Sequence, residues 1–122
     1  MTASTVRQQR GKQLADDLRA AAGVLRRDGW TQEQLHSKNS TAHDLQGAIY
    51  VATGYHLRDD GGIWRATPVS PPAARRADAC VHFMARVLPA QFVGDWNDQR
   101  CRSKDEAVDA LMRAADEAER SL

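Results

Sequence analysis

The sequence predicts a mainly α domain: four principal helices with a short irregular or hairpin insertion, in one helical domain over residues 1–122. Three observations carry this. Apolar residues recur at helical spacing in four separate stretches. Alanine, the strongest helix former, fills 20 of the 122 positions. Turn and cap residues punctuate the chain where those stretches begin and end. The length suits one core and is too short for two.

In the first helix Leu14, Leu18, Ala21 and Leu25 form one stripe, predicting a helix from about Thr5 to Asp28 with Gly29 as its left-handed stop. Thr31-Gln32-Glu33-Gln34 fits a capping box, so a short helical turn is expected over 32–36, followed by a polar loop from Ser37 to Thr41. Leu45, Ala48, Ile49 and Ala52 make the second stripe, capped near Thr41 and ended by Gly54. Asp59-Asp60-Gly61-Gly62 is a turn signal between Tyr55-His56-Leu57-Arg58 and Ile63-Trp64-Arg65-Ala66, predicting a hairpin or an irregular flap. Ser70 as N-cap and Pro71 at the first helical position open the third helix. Its predicted stripe is Ala74, Ala77, Val81, Met84 and Leu88, with Pro89 as the stop. Gln91 to Arg102 reads as irregular. Ser103-Lys104-Asp105-Glu106 is a full capping box for a last helix whose apolar face is Val108, Leu111, Ala115 and Ala118.

Leu, Ile, Val and Phe fill only 21 positions, so the core is thin. A thin core invites a second copy, and an intertwined or helix-packed homodimer is expected. Residues 1–30 carry six positive and three negative charges, residues 104–120 three and six. Antiparallel pairing of these terminal helices, within or between subunits, is therefore favoured, modestly because of screening. A net charge of +1 argues against a nucleic-acid partner. No apolar run approaches the ~18–20 residues of a membrane span, and no apolar leader follows Met1. The expected location is cytoplasmic, with Cys80 and Cys101 reduced.

No phosphate loop, nucleophile elbow or zinc motif is present, so no cofactor and no metal are expected. Cys80 and His82 point in different directions on a helix, and Cys80 serves better as small core filler than as a ligand. A Cys–His nucleophilic pair would have to be assembled in space, and no spacing selects one. The tryptophans say more. Trp30 and Trp96 fit gap-filling roles beside helix ends, whereas Trp64 in the hairpin is the one best placed to face a ligand. Asp95-Trp96-Asn97-Asp98 surrounds a ring with acceptors, either to close Asx-turns or to rim a pocket for a cationic group. Arg26-Arg27 and Arg75-Arg76 are expected to be mostly solvated, with Arg27 the candidate for a substrate carboxylate.

Three stretches resemble a family of small actinobacterial and phage domains of unknown function. They are Leu25 to Gln32; His43-Asp44-Leu45-Gln46-Gly47-Ala48-Ile49 with Ala52-Thr53-Gly54; and Gly94-Asp95-Trp96-Asn97-Asp98 with Ser103 to Leu111. The family often has a cysteine at the start of the central helix. Here Asp44 or a neighbour stands there, so no cysteine role is carried over. Within that neighbourhood, length, composition and helical order most resemble the lysinoalanine-forming proteins of cinnamycin- and duramycin-type lanthipeptide biosynthesis. That resemblance implies a helical homodimer that binds a thioether-bridged peptide and adds a lysine amine to a dehydroalanine. The substrate's own hydroxy-aspartate would act as base, and no catalytic residue of the chain is required.

The implied reaction needs a neutral amine. A lysine of pKa ~10.4 is neutral about once in 2,500 at pH 7, a cost of about 4.6 kcal/mol, while orientation can supply about 7–11 kcal/mol. On this reading Trp64 and Tyr55 pack the peptide, with Arg27, Trp96, Asp95, Asn97 and Asp98 as further binding residues. The alternative is a non-enzymatic peptide- or protein-binding module of an actinobacterium or its phage.

Overall fold

The computed structural model describes residues 3–32, 42–60, 63–89, 93–99 and 102–121. It is mainly helical: α1 (Ala3–Asp28), α2 (Leu45–Thr53), α3 (Pro71–Val87), α4 (Val93–Asn97) and α5 (Lys104–Ser121), with one hairpin, β1 (Tyr55–Asp60) and β2 (Ile63–Pro68), between α2 and α3.

Helix α1 is the spine. Leu14, Leu18, Ala21 and Leu25 are all buried, and full burial of a leucine such as Leu18 contributes about 1.5–3 kcal/mol. Much of the remaining core is alanine, including Ala15 and Ala22 on α1 and Ala107, Ala115 and Ala118 on α5. These small side chains let α5 lie close along α1. The two run antiparallel: Arg19 bonds Asp116 and Glu119, while Lys104 Nζ reaches the carbonyl of Arg26. The predicted pairing of terminal helices thus forms within one chain. Helix α2 packs on α1, and α3 lies against α1, α2 and α5.

Gly29 and Gly54 end α1 and α2 with φ of +98° and +101°, conformations that disfavour a side chain. A Cβ on Gly54 would also meet Val69 Cγ2 at 3.4 Å. Ser70 caps α3, accepting from Ala73 N, with Pro71 at its start. Ser103 caps α5 through the N–H of Glu106.

Three expectations are corrected. The second helix is capped by Asp44, not near Thr41, because Asp44 Oδ1 accepts the Gly47 N–H at 2.6 Å and Ala42 and His43 are already extended beside Trp30. The buried face of α3 is Ala73, Ala77, Cys80, Phe83 and Met84; Ala74, Val81 and Leu88 lie at its partly covered edge. The bulky Phe83 and the fully buried Cys80 turn that face away from the predicted stripe. The stretch from Gln91 to Arg102 contains one turn of helix, α4.

Antiparallel pairing of β1 and β2 sets Tyr55 opposite Pro68, Arg58 opposite Arg65 and Asp59 opposite Trp64. The expected turn over 32–36 and loop from Ser37 to Thr41 fall mostly outside the described residues, as do Gly61, Gly62 and Cys101. Cys80 is a free, buried thiol.

Candidate functional site

Helix α4 carries two consecutive side chains that do opposite things. Asn97 points inward and is fully buried. Its Oδ1 accepts the Trp30 Nε1–H at 2.7 Å and the Leu45 N–H at 3.0 Å. Its Nδ2 donates to the Thr31 carbonyl at 3.0 Å and to Asp98 Oδ1 at 3.1 Å. Both lone-pair directions and both N–H groups of the amide are therefore used. Gln32 adds a second tie, donating to the carbonyls of Asn97 and Gln99. One side chain thereby joins the exit of α1, the first turn of α2 and α4.

A buried acid and a half-buried one flank this knot. Asp44 is almost wholly enclosed, and desolvation pushes its carboxyl up to about 7, with the nearby Asp98 charge adding to the effect and the Gly47 N–H opposing it. Asp28 goes the other way. Arg27 binds it through Nε and Nη2 at 2.7 and 2.8 Å, and this pair holds its carboxyl down to about 2. His43 Nε2 lies 3.0 Å from Asp28 Oδ2, while its backbone N–H donates to the Gly29 carbonyl and its carbonyl accepts from the Thr31 N–H.

Trp96 lies on the other side of α4, beneath a cleft of about 720 Å³ between the end of α3 and the outer face of α5. Val87, Leu88 and Pro89 form one wall; Ala110 and Ala114 line the other. The Arg102 guanidinium sits 4.0 Å from the centre of the Trp96 ring, a cation–π contact. It is fixed there from three directions, by the Trp96 carbonyl, Gln99 Oε1 and Glu106. Around the rim, Arg113 pairs with Asp109 at 2.8 Å and Arg120 with Glu117. The volume falls in the range of small-ligand pockets.

The site residues expected from sequence do not converge. Trp96, Asn97, Asp95 and Asp98 share α4 and the turn after it, but only Trp96 lines the cleft; Asp95 and Asp98 are exposed. Arg27 is exposed at the end of α1 and engaged with Asp28. Tyr55 opens β1, just past the C-terminus of α2, stacked on Tyr50 with ring centres 4.7 Å apart, and does not line the cleft. Trp64 lies in β2 opposite Asp59, and its side chain falls outside the described residues. Arg76 also departs from the solvated role expected of it: with Gln13 it holds the buried Asp17 between α3 and α1.

Arg102, Asp44 and Asp28 were not singled out from sequence. For Arg102 the available signal was its spacing: Arg102, Glu106, Asp109 and Arg113 recur at four, three and four, the pattern of paired charges along one helix edge.

Burial pushes the Cys80 thiol up to about 12, so it is a poor nucleophile at neutral pH. Among the described residues no group of three or more His, Cys, Asp or Glu could hold a metal, and no helix is long and apolar enough to cross a membrane.

Residues 9–117 match the model of a family of unknown function, DUF6197, and the chain belongs to that family. No curated protein and no solved structure matches it.

Proposed function

We propose that the chain is a binding domain that seats a polypeptide segment in the cleft between α3 and α5. The observation that carries this is the cleft's composition. An apolar floor of Leu88, Pro89, Ala110, Ala114 and Trp96 lies under a rim of arginine–carboxylate pairs. Exposed pairs such as Arg113–Asp109 and Arg120–Glu117 contribute only about 0–1 kcal/mol each, so incoming polar groups can exchange with them at small cost. Recognition of a peptide needs apolar anchoring with exchangeable polar contacts around it.

The resemblance to lysinoalanine-forming proteins carries the more specific reading, conjugate addition of a lysine amine to a dehydroalanine. The rim's carboxylates favour capture over that addition, because a neighbouring anion stabilises the ammonium form of a lysine and the addition needs the neutral amine. The two readings separate in one experiment. A dehydrated, thioether-bridged cinnamycin-type peptide bearing hydroxy-aspartate is incubated with the protein and then exposed to thiol. Crosslinking leaves the mass unchanged, but a free dehydroalanine adds thiol and a closed crosslink does not. Saturable binding with undiminished thiol uptake is the expected result. Abolished uptake would establish the enzyme instead, and the absence of both binding and crosslinking would remove this peptide class from either reading.

A further inference from the structure

At the Trp96 end of the cleft sits a cation that the chain itself supplies. Four groups surround the Arg102 guanidinium, and each of them favours positive charge. The centre of the Trp96 ring lies 4.0 Å away, while the Trp96 carbonyl, Gln99 Oε1 and Glu106 Oε2 accept its hydrogen bonds at 3.3, 2.6 and 3.0 Å. An aromatic face beside a carboxylate and neutral acceptors is an arrangement that recognises cationic side chains. The other arginine–aromatic contact lacks this character: Arg86 lies 5.5 Å from the Phe83 ring, with no acceptor holding it among the described residues.

The box does not need Arg102 in order to form. Trp96 is packed into the core, and Glu106 is tied to the Ser103 cap through both its N–H and its Oε1. Arg102 is less committed. Its side chain is 20% accessible and lines the cleft, so it can leave for solvent without unpacking a core residue. Without it the lining holds Glu106, Asp109, Asp116 and Glu117 against Arg113 and Arg120. Even with Arg19 of α1 set against Asp116, one negative charge remains uncompensated.

We infer that Arg102 stands in for an arginine side chain of the bound segment, which displaces it from the box of Trp96, Gln99 and Glu106. The inference rests on reading the cleft as the peptide site and gives that site its specificity. Exchanging one guanidinium for another is close to balanced, so the apolar floor supplies affinity and the box selects the side chain. A lysine suits it less well, because an ammonium has no planar face to lay on the ring.

The test titrates N-acetyl-arginine amide into isotope-labelled full chain and follows the indole N–H resonances. Arg102→Ala opens the box and should bind the probe about tenfold or more tighter than wild type. The Trp96 resonance should shift, and that of Trp30, held by Asn97, should stay. Arg102→Lys keeps a cation with fewer hydrogen bonds and should fall between the two, which decides the matter if Arg102→Ala does not fold. Adding Glu106→Gln to Arg102→Ala preserves the capping pattern and should remove most of the gain. Folded variants that bind no tighter than wild type would overturn the inference, as would equal binding of the uncharged N-acetyl-citrulline amide. The bridged peptide, titrated into the same chains, keeps the two claims apart. Probe captured at Trp96 without any peptide bound would overturn only the peptide reading, and peptide bound without probe capture would overturn only the role of Arg102.

Discussion

Asn97→Ala should lower the unfolding free energy by about 3–5 kcal/mol, the largest effect expected of a single polar substitution here. The reason is what the amide leaves behind. Removing it strands the Trp30 indole N–H, the Leu45 N–H and the Thr31 carbonyl, all paired with Asn97 in the native chain. A buried polar group without a partner costs about 1–3 kcal/mol, and three are created together. Water entering the gap would recover part of this. Asn97→Asp keeps the two acceptor bonds but loses both donors and sets a new negative charge beside Asp98 and Asp44, so it should fare little better. Urea unfolding at pH 7 checks both variants. A loss under 1 kcal/mol for Asn97→Ala would show that the knot does not hold α4 in place.

Asp44 predicts an unusual pH dependence. Its carboxyl is raised from an ordinary value near 3.8 to about 7 in the folded chain. Between those values the folded state holds a proton that the unfolded state has released, so stability falls as pH rises through the window from about 4 to about 7. The full effect is on the order of 4 kcal/mol at one pKa unit per 1.36 kcal/mol. Asp28 has the opposite sign, since its carboxyl is depressed to about 2, and its contribution is lost only as pH falls below about 4. The two windows adjoin without overlapping, and together they put the maximum of these two contributions near pH 4. Asp44→Asn retains an N-cap acceptor for the Gly47 N–H and removes the buried charge. It should therefore flatten the decline and exceed wild type in stability at pH 8. Thermal unfolding from pH 4 to pH 8 measures this, and a wild-type stability that rises across the interval would refute the account of Asp44.

The helices were legible in the sequence because their signals are local. Stripe spacing alone placed the buried faces of α1 and α5, and the Ser70-Pro71 and Ser103-to-Glu106 caps located two starts. What escaped depends on partners far along the chain. Asn97 engages Trp30, Thr31 and Leu45 across more than fifty residues, and no spacing rule links them. Asp44 outranked Thr41 as cap because the chain just before it is held against Trp30, a tertiary contact. The aromatic and acidic residues around Trp96 do mark a special place. Their local composition, however, could not distinguish Asn97, which ties three segments together, from Trp96, nearly as buried yet lining the cleft one residue of helix rotation away.

The most direct test of the cleft as the binding site is an NMR titration of isotope-labelled protein with the dehydrated, thioether-bridged peptide. The account predicts saturable shifts in the Trp96 indole N–H and in the amides of Ala110 and Ala114, with the Tyr55 and Trp64 amides of the hairpin unmoved. Shifts centred on the hairpin, with Trp96, Ala110 and Ala114 silent, would contradict it and return the site to Tyr55 and Trp64.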